Sequence, residues 1–144
     1  MNNTKLEIKV KDIMAIEPEC INTEATIKDA SIKMKGINAG FLPVCENDKL
    51  IGVVTDRDIV VRGVAQDKGL NTNIKDVMTT KVIYCFDEDN VEGIANIMAE
   101  NHVRRLAVLN QDKRLVGVLS IDDIATKAGI NILKAENLNV NKPM

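Results

Sequence analysis

Two stretches of the chain place a hydroxyl and a carboxylate three residues apart behind a glycine: Gly52, Thr55 and Asp58, then Gly117, Ser120 and Asp123. Each stretch follows a β-rich run and precedes helix-like sequence. The hydroxyl and carboxylate therefore fall at the first turn of a helix, beside backbone N–H groups that lack helical partners. A glycine in the strand lets something approach the backbone closely. Such a spot can hold the vicinal hydroxyls of a sugar. The carboxylate accepts two hydrogen bonds, the Thr or Ser hydroxyl adds a third, and helix-end N–H groups favour a nearby anion. The same Thr-x-x-Asp and Ser-x-x-Asp patterns are also capping boxes, which start a helix with no ligand at all. Basic residues stand close by: Arg57 directly before Asp58, and Arg104-Arg105 before the run Leu106-Ala107-Val108. They suit a phosphate, and they equally suit a solvated strand edge that blocks edge-to-edge pairing.

These residues sit in a chain that is written twice. Shifted by 64 residues, Val10-Lys11-Asp12-Ile13-Met14 meets Ile74-Lys75-Asp76-Val77-Met78, and Leu42-Pro43-Val44 meets Leu106-Ala107-Val108. After one inserted residue, Arg114, the shift becomes 65, and Gly52-Val53-Val54-Thr55 meets Gly117-Val118-Leu119-Ser120. Two copies are too few for a solenoid, so they are expected to pack face to face about a pseudo-twofold axis.

Each copy reads as strand, helix, strand, strand, helix, an α+β (α/β) class of fold. The first helix opens at Thr26, with Asp29 three residues on as a capping box. Ile27, Ala30 and Met34 then line one face. Its partner opens at Asn90 and carries Val91, Ile94, Ala95 and Met98. Short strands are expected around 20–21 and 82–85, and β-rich pairs at 41–45 with 50–54 and at 105–109 with 115–119. The last helices start near Asp56 and Ile121. The expected divisions are a first repeat over 8–66, a linker over 67–73, a second repeat over 74–130 and a short amphipathic helix in the tail 131–144. Ile51, Val53, Val116 and Val118 give each half an apolar sheet face in need of cover, so the two repeats should form one globular module.

Composition narrows the functional classes. Charge nearly cancels at −2, and no block of like charge supports a nucleic-acid arm or a membrane anchor. The longest apolar runs fall far short of the ~20 residues that span a bilayer. The first residues lack the apolar centre of a signal peptide, so the expected location is the cytoplasm. Aromatics are scarce, with no Trp, one Tyr and two Phe, which removes base-stacking platforms. Cys20, Cys45 and Cys85 are odd in number and far apart, which argues against a disulfide framework and for small buried hydrophobes. The lone His102 has no nucleophile partner in a recognisable motif, so no enzyme is expected.

The ordered set from Asp12-Ile13-Met14 through Leu42-Pro43-Val44 to Gly52-Val53-Val54-Thr55-Asp56-Arg57-Asp58-Ile59 resembles a CBS domain, named after cystathionine beta-synthase. The second copy matches from Lys75-Asp76-Val77-Met78 through Arg104-Arg105-Leu106 to Asp123. The chain is thus similar to stand-alone bacterial tandem-CBS proteins, whose pair is called a Bateman module and typically binds AMP, ADP, ATP or S-adenosylmethionine. The resemblance implies that Asp58 and Asp123 take ribose hydroxyls beside Thr55 and Ser120. It implies phosphate contacts from Arg57, Arg104 and Arg105. Adenine would lie near Ile16 or Thr80 to Val82, packed by Val44, Val108 and Phe41. Where the second copy has Arg104-Arg105 the first has Gly40-Phe41, so the two sites are not equivalent, and the Asp58 site is expected to be the better one. The resemblance further implies a regulatory homodimer. Two other classes stay open: an interaction module with no physiological nucleotide, and a metal or redox sensor using the cysteines with His102.

Overall fold

The structure is a computed structural model that describes residues 7–16 and 18–129; the helix expected over 131–144 lies outside them. In chain order the elements are α1 (Val10–Ile13), β1 (Ala15–Ile16), β2 (Ile21–Asn22), α2 (Ile27–Ile37), β3 (Phe41–Glu46), β4 (Lys49–Thr55), α3 (Asp56–Asp58), β5 (Tyr84–Phe86), α4 (Val91–Asn101), β6 (Arg105–Leu109), β7 (Leu115–Ser120) and α5 (Ile121–Asp123). The last helix of each copy continues as a π-helical stretch, Ile59–Gly63 after α3 and Ile124–Ala128 after α5. No helix among the described residues is long and apolar enough to cross a membrane.

Local chemistry sets the helix ends. The Thr26 hydroxyl accepts from Asp29 N–H at 3.1 Å while the Asp29 carboxylate accepts from Thr26 N–H at 2.9 Å. These bonds hold the Asp29 carboxyl below its ordinary range. Residues Ile27, Ala30 and Met34 are buried on one face of α2, as the periodicity predicts. The helix stops where Asn38 turns left-handed at φ 55°. In α4 the same stop is made by His102 at φ 56°. The single histidine is therefore an exposed helix terminator.

The chain divides into two compact units that do not follow the repeat boundaries. One is Glu19–Val82; the other joins, of the described residues, 7–16 and 18 with 83–129. The leading segment of each repeat has changed places: residues 7–16 lie with the body of the second copy, and residues 74–79 with the body of the first. In the first unit β2, β3 and β4 form a three-stranded sheet. Thr79 extends it by exchanging two backbone hydrogen bonds with Val53, at 2.9 and 2.8 Å. The second unit has a four-stranded sheet in the order β1-β7-β6-β5, with Ala15 opposite Val118.

The exchanged segments are plugs for the cores they enter. Val10 and Ile13 are buried among Ile94, Met98, Leu119 and Ile124. Ile74 and Val77 are buried among Ile27, Met34, Leu42 and Val54. Each such side chain contributes about 1.5–3 kcal/mol when fully buried, which offsets much of the conformational entropy lost in ordering a short segment. The strand glycines exist for the same packing. A Cβ on Gly52 would stand 2.8 Å from the Thr79 carbonyl oxygen, and one on Gly117 2.8 Å from the Ala15 carbonyl oxygen. What approaches these backbones is the chain's own exchanged segment.

One expectation is corrected. Cys20 and Cys45 are joined in a disulfide with their Cα atoms 6.3 Å apart. Their distance in sequence argued against this, but β2 pairs in parallel with β3, with Asn22 opposite Cys45. That pairing draws residue 20 alongside the strand, within the span a disulfide bridges. Cys85 is a buried free thiol whose burial pushes its pKa up to about 12.

Candidate functional site

In the first unit, β4 ends and α3 begins at Thr55. Its hydroxyl accepts from Asp58 N–H at 3.1 Å, and the Asp58 Oδ2 accepts from Thr55 N–H at 3.0 Å. The capping box read from the sequence is therefore formed in full. Asp58 has further partners that the sequence reading missed. Arg62, one turn on, donates from Nη2 to Asp58 Oδ1 at 2.5 Å and to Thr79 Oγ1 at 2.7 Å. Its Nε donates to the Val77 carbonyl at 2.8 Å. The Thr79 hydroxyl stands 3.3 Å from both carboxylate oxygens. The Asp58 side chain is 12% exposed, and Arg62 covers it from the solvent side at 47%.

The second unit repeats this arrangement with weaker chemistry. Ser120 Oγ accepts from Asp123 N–H at 3.0 Å, and Asp123 Oδ2 accepts from Ser120 N–H at 3.2 Å. Lys127 takes the place of Arg62: its Nζ is 3.4 Å from Asp123 Oδ1 and donates to the Ile13 carbonyl at 3.3 Å. Ala15 takes the place of Thr79 and has no hydroxyl. The Asp123 side chain is 21% exposed. The 65-residue shift that aligns the aspartates also aligns Arg62 with Lys127. A cation four residues after each aspartate was thus a visible signal that spacing of the acidic residues alone did not use.

The other expected site residues divide between the units. Phe41 lies opposite Thr55 on β3, and Arg105 holds the equivalent place opposite Ser120 on β6. Thr80 follows Thr79 directly and accepts at its carbonyl from Val82 N–H at 3.0 Å. Ile16 is 69% exposed beside Gly117. Arg57 is exposed on α3, and Arg104 stands 3.9 Å from Asp122. Val44 and Val108 are a correction. Both have no exposure at all. Strand alternation turns them with Leu42 and Leu106 into the two cores, so no purine packs against them.

Among the described residues no group of three or more His, Cys, Asp or Glu side chains is placed to hold a metal ion. Chemically, each unit offers a partly covered carboxylate, a hydroxyl and a cation at the start of a helix, bounded by a foreign backbone segment.

The family model for the CBS domain matches residues 10–63 and again 74–128. A CBS domain-containing protein of Bacillus subtilis, YhcV, is 34% identical over 116 residues, 81% of this chain and 82% of its own. A CBS domain pair solved with 5-methylthioadenosine and S-adenosyl-L-methionine is similar in structure, with a TM-score of 0.77 and 28% identity over 85% of this chain and 96% of that one. CBSX2 solved with AMP gives 0.75 and 25% over 83% and 95%. The chain belongs to the CBS domain family and carries two such domains in tandem.

Proposed function

We propose that the protein is a regulatory module that binds an adenosine-containing ligand (AMP, ADP, ATP or S-adenosylmethionine) and performs no chemistry on it. Asp58 and Asp123 accept the ribose hydroxyls beside Thr55 and Ser120. Arg57, Arg104 and Arg105 serve a phosphate, and Ile16, Phe41, Thr80 and Val82 border the base. The two repeats work as one module, a homodimer of it in the cytoplasm, and the ligand shifts its arrangement in proportion to differential affinity. The observation that carries this reading is the same partly covered carboxylate at the same turn in both units, in a family with members solved bound to AMP and to S-adenosyl-L-methionine. Calorimetric titration of one preparation with AMP, ATP and S-adenosylmethionine tests it, with saturable binding of at least one as the expected result. A thermal shift is the companion measurement: ligand at 100 times Kd adds about 2.7 kcal/mol to stability.

A second reading has its own observation. Both hydroxyl–carboxylate pairs form complete capping boxes without any ligand. An interaction module that uses them only as caps responds to none of these compounds.

A further inference from the structure

We infer that Arg62 is a latch on the Asp58 carboxylate that a ligand's vicinal hydroxyls must displace, so that Asp123 fills first, the reverse of the order the sequence suggests. The inference rests on the reading of both aspartates as ribose acceptors, and it names the residue that sets the difference between them.

A carboxylate offers about four acceptor positions. Three donors already address Asp58: the Thr55 N–H at 3.0 Å, the Thr79 hydroxyl at 3.3 Å and the Arg62 guanidinium at 2.5 Å. One position remains, and a vicinal diol brings two donors. Binding therefore requires one resident donor to leave. The Thr55 N–H is fixed by the helix cap. The Thr79 hydroxyl rides on a backbone tied to Val53 by two hydrogen bonds. Arg62 is the half-exposed side chain of the three, so its planar guanidinium is the donor that can withdraw toward solvent as a unit.

Asp123 is different. Among the described residues it accepts from the Ser120 N–H, with the Lys127 ammonium at 3.4 Å and no hydroxyl at position 15. Two positions remain for a diol without any displacement. Lysine is a compact point charge on a flexible stem, whereas arginine is a planar fork that here engages Asp58, Thr79 and Val77 together. The duplicated pattern thus has one strong latch and one weak one.

The test is calorimetric titration of the full chain with AMP as the probe, using D123N to isolate the Asp58 site and D58N to isolate the Asp123 site. In the D123N background, R62Q should bind AMP about tenfold more tightly, the factor expected for releasing one charged hydrogen bond. R62K should fall between R62Q and the parent. In the D58N background, K127R should weaken binding. A gain in affinity on removing Arg62 is not what loosened folding would produce. Equal or weaker binding in R62Q, or tighter binding in K127R, overturns the latch. If neither AMP, ATP nor S-adenosylmethionine binds any of these proteins, including the unmutated chain, the adenosine reading fails. The latch is then judged by amide hydrogen exchange without ligand. R62Q should speed exchange at Thr79, and an unchanged rate there overturns it.

Discussion

The carbonyl oxygen of Thr79 lies where the β-carbon of residue 52 would be: 2.8 Å separates it from an ideal Cβ built on Gly52. A strand glycine in the first repeat is thereby matched to a residue that opens the second. The same distance recurs between Gly117 and Ala15. Each glycine is a contact point for the segment that its unit borrows from the other copy.

G52A should therefore push the borrowed segment off β4 and cost about 1–3 kcal/mol, the usual range for overpacking. G93A is the counter-case, since a Cβ on Gly93 in α4 meets nothing within 4 Å. It should stabilise by about 0.5–1 kcal/mol through lower unfolded-state entropy. Urea unfolding of the two variants checks both signs.

Asp58→Ala separates cap from ligand contact. Loss of the cap lowers stability by about 1 kcal/mol. Loss of a charged hydrogen-bond set to ribose lowers binding by about 1.5–3 kcal/mol, at least tenfold in Kd. Titration beside denaturation measures both, and a stability loss with unaltered AMP binding would reduce the residue to a cap.

Acid should loosen the borrowed segment of the second unit. Lys9 and Lys11 flank Glu88 at 2.7 and 2.6 Å, tying the start of α1 to the loop before α4. Hydrogen bonds from Lys11 and Lys9 hold the Glu88 carboxyl at about 2, below its ordinary 4.5. A lowered carboxyl pKa stabilises the fold fully above 4.5 and loses that contribution as pH falls toward about 2. The same contact raises the Lys11 pKa above 10.5, so its contribution is intact below that pH and fades above it. E88Q should differ from the parent in stability at neutral pH, and the gap should close on acidification. A gap that persists at pH 2 would contradict this.

The cysteines should behave as two classes. Reduction of Cys20–Cys45, a loop with a sequence separation of 25, should lower stability by about 3 kcal/mol on the chain-entropy account. Cys85, with its thiol raised to about 12 and buried, should resist alkylation until the chain unfolds. Mass spectrometry after iodoacetamide treatment, with and without reductant, reads both: no label, then two.

Much of this protein is written in local chemistry. Thr26 with Asp29, Thr55 with Asp58 and Ser120 with Asp123 each form the capping box that their spacing announces, because donor and acceptor lie three residues apart and need no distant partner. The β6 range of Arg105–Leu109 and the helix starts at Asp56 and Ile121 follow from alternation and caps in the same way. The 64-residue repeat, and with it the family, is also a property of the sequence alone. Tertiary structure decided what depends on partners far along the chain. It sent α1 to β7 and Thr79 to Val53, since the buried stripe of each leading segment fits the core of the other copy's body. It closed Cys20 onto Cys45 through a parallel strand pair, and it turned Val44 and Val108 inward. It also set Thr79 against Asp58 and Arg62, a contact no spacing reveals because Thr79 arrives from the opposite repeat.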